Sequence, residues 1–93
     1  MTKAALQAIM NEYGNKLKII KGTNFAIYLN HAKAAETLKN EDITFKSYGG
    51  EDCIVYEEAM DGIAQKPRTV IVPVSDVTKV VTVDSDVFDP YRS

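Results

Sequence analysis

The stretch Arg68–Val83, RTVIVPVSDVTKVVTV, constrains this chain more than any other, because seven of its sixteen residues are valine. β-Branched side chains lose rotamer freedom in a helix and fit a pleated, half-buried surface. Two strands follow. Val70, Val72 and Val74 alternate with Thr69, Ile71 and Pro73, then Ser75 and Asp76 interrupt, and Val77, Val80, Val81 and Val83 resume the apolar signal. Pro73 has no amide hydrogen to give a ladder, which places it at a strand end or an edge. The interruption is expected to be one tight turn.

The residues ahead of this pair supply a helix and two hairpins. From Thr2, which can cap a helix, Leu6, Ile9, Met10 and Tyr13 fall at helical spacing, and Gly14 and Asn15 follow as residues that tolerate the conformation ending a helix. Lys16–Lys21 alternates lysine with leucine or isoleucine, which predicts a strand with Leu17 and Ile19 inward and the lysines outward. Gly22, Thr23 and Asn24 make a turn, after which Phe25, Ile27 and Leu29 share one face and Ala26 and Tyr28 the other. His31–Asn40 is rich in alanine, lysine and glutamate, and two turns of helix are expected there, closed by Asn40, Glu41 and Asp42. Ile43, Thr44, Phe45 and Tyr48 then lead through Gly49 and Gly50 into the continuous apolar run Cys53–Tyr56, a second hairpin whose return strand is covered on both faces. Glu57–Lys66 is expected to be a loop with room for one helical turn, limited by Gly62 and Pro67.

The expected fold class is therefore α+β: an N-terminal helix plus a strongly bent antiparallel sheet or small barrel of five to six strands. A chain of 93 residues makes a single domain that buries about two thirds of the surface of its unfolded form. Residues 1–83 are the expected core. Residues 84–93 are a tail that carries Asp84, Asp86 and Asp89 with Phe88, Pro90 and Tyr91, and such termini stay mobile unless their aromatics dock.

The first hairpin, LKIIKGTNFAIYL, and the closing pair, TVIVPVSDVTKVVTV, resemble the Sm-like family of SH3-type small barrels over about a third of the chain. That resemblance implies an architecture and ring formation. The inserted segment 31–40 and the long connection 57–67 depart from the family's compact middle, and its base-binding residues have no counterparts here position by position, so no RNA site is carried over. Fold alone does not give function.

Charge and composition narrow the partners. A net charge of −2 argues against a surface that draws the chain onto duplex DNA. One cysteine, Cys53, forbids an internal disulfide and any cysteine-held zinc, and the N-terminus lacks the apolar core of a signal peptide, so a cytoplasmic location without a membrane segment is expected. No phosphate-cradling loop, zinc-protease pair or nucleophile elbow is present, and no cofactor or metal site is expected.

Candidate catalytic groups reduce to His31, the buried-looking Cys53, and the carboxylate pairs Glu41/Asp42, Glu51/Asp52 and Glu57/Glu58. A lone histidine makes neither a triad nor a metal cage. A thiol inside DCIVY behaves as a small hydrophobe, and neighbouring strand residues point to opposite faces. No catalytic residue is therefore assigned.

The first expectation for function is a non-catalytic interaction module that binds another protein or its own copies, such as a phage-type accessory protein acting as inhibitor or adaptor. The alternatives are a binder of single-stranded RNA or a small nucleotide on an Sm-like oligomer and, last, a small enzyme. The candidate binding residues are Lys16, Lys18, Tyr28, His31, Tyr48 and Tyr56. Lysines along the first hairpin, with Lys21 and Lys3, either track phosphates or guard an edge strand, and strand tyrosines serve as core, interface anchors or stacking platforms.

Overall fold

The computed structural model describes residues 1–31, 38–58 and 67–83. Helix α1 spans Lys3–Tyr13. Thr2 stands outside it in extended geometry, and its Oγ1 accepts the Ala5 N–H at 3.1 Å, satisfying one of the amides that a helix start leaves unpaired. Gly14, at φ 54°, ends the helix and returns its N–H to the Met10 carbonyl. Leu6 is fully buried and Ile9 and Met10 pack against the core, whereas Tyr13, the last residue of the predicted stripe, is exposed.

Among the described residues six strands follow, all paired antiparallel: β1 Leu17–Gly22, β2 Ala26–Tyr28, β3 Thr44–Tyr48, β4 Glu51–Glu58, β5 Arg68–Pro73 and β6 Val77–Thr82. They form two three-stranded sheets, ordered β2–β1–β6 and β3–β4–β5. The α+β class is as expected, but the two sheets do not join into a closed barrel. Pro73 ends β5 and the 3-10 turn Val74–Asp76 carries the chain into β6. Val74, the first residue of that turn, and Val77, the first after it, are buried, so the short polar interruption Ser75–Asp76 is held by core contacts.

The core lies between the sheets and under the helix. Leu6, Leu17, Ile20, Ile27 and Leu29 meet Ile43, Ile54, Tyr56, Val74 and Val77, and Phe25, Leu38, Phe45, Val70, Val72 and Val80 pack around them. The run Cys53–Tyr56 is buried on both faces, as a central strand requires. Gly49 and Gly50 join β3 to β4 with both φ angles positive, 58° and 82°, the requirement of a two-residue hairpin loop whose twist matches its strands. Gly22 matters for a different reason: a Cβ on it would stand 2.1 Å from Phe25 Cε1, so the Phe25 ring would have to move.

Strand β1 departs from the predicted alternation. Leu17 opposes Thr82 and Ile19 opposes Val81, so Lys18 is an extra residue in the ladder, a β-bulge. One inserted residue reverses which face the following side chains take. The inward residues are consequently Leu17 and Ile20, not Leu17 and Ile19, and Lys18 is buried rather than outward.

The helix expected over 31–40 falls largely on residues 32–37, outside the described residues. At its far end Leu38 forms a parallel bridge to Leu29 and Asn40–Asp42 form a single 3-10 turn, so helix does not extend there. The expectations for 59–66 and for the tail 84–93 also lie outside the described residues. No helix among the described residues is long and apolar enough to cross a membrane.

Candidate binding face

The side chains of residues paired across an antiparallel ladder project to the same side of the sheet. In the β2–β1–β6 sheet, Ile27, Ile20 and Val80 form one such row and face the core. The opposite side therefore carries Tyr28, Ile19 and Val81 in one row and Ala26, Lys21 and Lys79 in the next. Tyr28 is 46% exposed, Ile19 and Val81 are half-buried, and both lysines are exposed. With strands about 4.8 Å apart and residues about 3.3 Å apart along a strand, the two rows cover a patch of about 10 by 7 Å.

Two features of this face are chemically specific. Lys21 and Lys79 stand directly opposite each other, an arrangement that like charges make unfavourable by a fraction of a kcal/mol. Among the described residues neither forms an ion pair, whereas Arg68 pairs with Glu58. Tyr28 also meets His31, with ring centroids 5.8 Å apart and planes inclined at 47°, a tilted aromatic contact. The contact is possible because Asn30 takes the left-handed conformation, φ 56°, and turns the chain back immediately after β2.

That turn is held by a polar network. The Lys18 ammonium donates to the Asn30 carbonyl at 2.6 Å, and the Asn30 amide donates to the Leu17 carbonyl and to Asn40 Oδ1, both at 2.8 Å. Asn40 Nδ2 in turn donates to the Gly14 carbonyl at 2.9 Å. Helix end, bulge, turn and 3-10 segment are thus tied together behind the face.

The predicted binding residues separate. Tyr28 and His31 come together. Lys18, 1% exposed, is turned inward onto an internal carbonyl and so does not present a phosphate-binding surface. Lys16 is exposed in the 3-10 turn Gly14–Lys16, ahead of the strand rather than on this face. Tyr56 is a core residue, whereas Tyr48, 47% exposed, sits at the tip of the β3–β4 hairpin on the other sheet. Ile19, Lys79 and Val81 were outside the predicted set. Lys79 and Val81 join it through pairing between strands far apart in sequence, and Ile19 through the bulge.

The residues weighed for catalysis are dispersed or muted. Glu51 opposes Tyr48 and Asp52 opposes Ser47, and Glu57 opposes Thr69 and Glu58 opposes Arg68, so these two pairs divide between the two faces, while Glu41 and Asp42 are exposed in the 3-10 turn Asn40–Asp42. Among the described residues, no three histidines, cysteines or carboxylates gather as they do around a metal ion. Cys53 is buried, and burial first, then the charges of Glu51 and Asp52, push its thiol up. Burial first and then Glu58 push the Tyr56 phenol up.

Both groups hold their proton more tightly when folded. The stability they contribute is complete below the unfolded pKa values, about 8.5 for thiol and about 10 for phenol, and is lost as pH rises through the folded values. Denaturant midpoints are expected to fall on raising the pH above about 8.5, and Cys53→Ala is expected to remove the first part of the decline.

A scan against protein-family models finds no match for this chain, and searches of curated proteins and of solved structures find none either.

Proposed function

We propose that this chain is a small, non-catalytic interaction module of the cytoplasm that binds protein, including its own copies, through the outer face of the β2–β1–β6 sheet. The observation that carries this is the cross-strand row Tyr28, Ile19 and Val81 beside the row that contains Lys21 and Lys79. An amphipathic aromatic ring over half-buried aliphatic side chains, rimmed by charge, has the composition of an interface centre and its edge. The dispersed carboxylates and the buried, proton-holding Cys53 support a role without covalent or acid–base chemistry. An SH3-type architecture of the Sm-like kind is part of the proposal. It is supported by the return of the last strand to the first after a single 3-10 turn.

Single-stranded RNA is the alternative ligand, favoured by the exposed Tyr28 ring in the row beside Lys21 and Lys79, which form no ion pair among the described residues. One measurement separates the two: light scattering coupled to size-exclusion chromatography, with absorbance at 260 and 280 nm. The expected result is a particle heavier than one 10.3 kDa chain with the absorbance ratio of protein alone. Excess 260 nm absorbance that disappears at high salt would transfer the face to RNA. A strictly monomeric chain that captures no protein would exclude the module.

A further inference from the structure

We infer that the occupant of this face is the acidic segment 84–91, DSDVFDPY, of a second copy of the chain; the inference rests on the interaction-module reading above. Lys79 alone can be explained as an edge-strand lysine that discourages stray pairing. Lys21 cannot, because β1 is the central strand of its sheet. Two cations placed opposite each other, one of them away from any edge, are a feature that an anion between them relieves.

The chain itself carries the matching chemistry. Asp84, Asp86 and Asp89 contribute three negative charges within six residues, with no base among them, and Val87, Phe88 and Tyr91 provide apolar and aromatic partners for Tyr28, Ile19 and Val81. An extended stretch of eight residues reaches about 26 Å, more than enough to cross the patch.

The donor is a neighbouring copy because the interaction-module reading has this face join copies of the chain. The Val83 N–H is tied to the Lys16 carbonyl at 2.9 Å, which fixes the exit at the end of β6 away from Lys79. Lys79 lies four residues back along the strand, about 13 Å from that exit. A segment of eight residues spans that distance, so closure on its own copy is the competing outcome, and it would leave the chain monomeric.

The test is charge exchange in the full-length chain. K21E/K79E and D84K/D86K/D89K are each expected to weaken self-association at least about tenfold in low salt, read by light scattering across a concentration series. Mixing the two variants in equal amounts is expected to restore association, since the reversed face of one meets the reversed segment of the other. Far-UV circular dichroism checks that each variant folds, and the milder K21Q/K79Q and D86N/D89N pairs are expected to lower association in the same direction. If the wild type assembles and both charge-reversed variants assemble as it does, this inference fails while the interaction module stands. If the wild type is monomeric at every concentration, this inference fails, and the interaction module then stands only if the chain captures a different protein. If K21E/K79E releases bound RNA while the aspartate variant retains it, the face belongs to nucleic acid and the inference is overturned.

Discussion

Replacing Lys18 with alanine is expected to lower the stability of this fold by about 3 kcal/mol, within the range for emptying a large core site. Lys18 is one of the largest fully buried side chains, so its methylene stem fills volume that no neighbour can reclaim without moving β1. Its ammonium donates to the Asn30 carbonyl, and truncation leaves that carbonyl without this donor. Both losses act in the same direction.

Lys18→Met separates them. It keeps most of the stem and removes the charge, so the expected loss is nearer about 1 kcal/mol, the cost of the unpaired carbonyl offset by the desolvation that a buried cation no longer suffers. Urea denaturation followed by circular dichroism measures both. For a domain of this size the alanine variant is expected to melt about 15 °C below the wild type, taking about 5 °C per kcal/mol. An alanine variant as stable as the wild type would mean that the side chain is outside the core after all.

The same residue shows how far the fold can be read from the sequence. Elements whose signal is local are legible: Thr2 and Gly14 bracket the helix, Gly49 and Gly50 force the hairpin, and Ser75 with Asp76 divides the valine-rich pair. LKIIK misleads because a period of two holds only for an unbroken ladder, and a single extra residue at Lys18 moves Ile19 outward and Ile20 inward. Cys53–Tyr56 is legible as a strand covered on both faces, but the role of its tyrosine is not. A strand buried on both faces has no alternation from which to tell that Tyr56 belongs to the core while Tyr48 is exposed.

The candidate face is the least legible part. Tyr28 is visible as the residue opposite Ile27 in the alternation of its own strand. Its neighbours Val81 and Lys79 depend on the last strand returning to the first, a pairing that no local pattern encodes. Binding residues gathered by non-local strand pairing are therefore expected to look like unrelated surface positions in the sequence, as Lys21 and Lys79 do.

Asn30→Ala is expected to cost about 3 kcal/mol, from three effects that a single side chain combines. Asn30 holds φ 56°, a conformation asparagine tolerates and alanine adopts at a cost of about 1 kcal/mol. Its amide also satisfies the Leu17 carbonyl at the bulge and Asn40 Oδ1 in the 3-10 turn, and losing each is expected to cost about 1 kcal/mol. Asn30→Gly accepts the backbone conformation and loses only the two hydrogen bonds, so about 2 kcal/mol is expected, and the difference between the variants isolates the backbone term. Asn40→Ala removes the link to the Gly14 carbonyl as well as the contact with Asn30. Combined with Asn30→Gly, it is expected to cost about 1 kcal/mol less than the sum of the two, because both variants break the same bond. Full additivity in that cycle would show that Asn30 and Asn40 act separately, and that the turn behind Tyr28 and His31 is held by Lys18 and the Leu17 carbonyl alone.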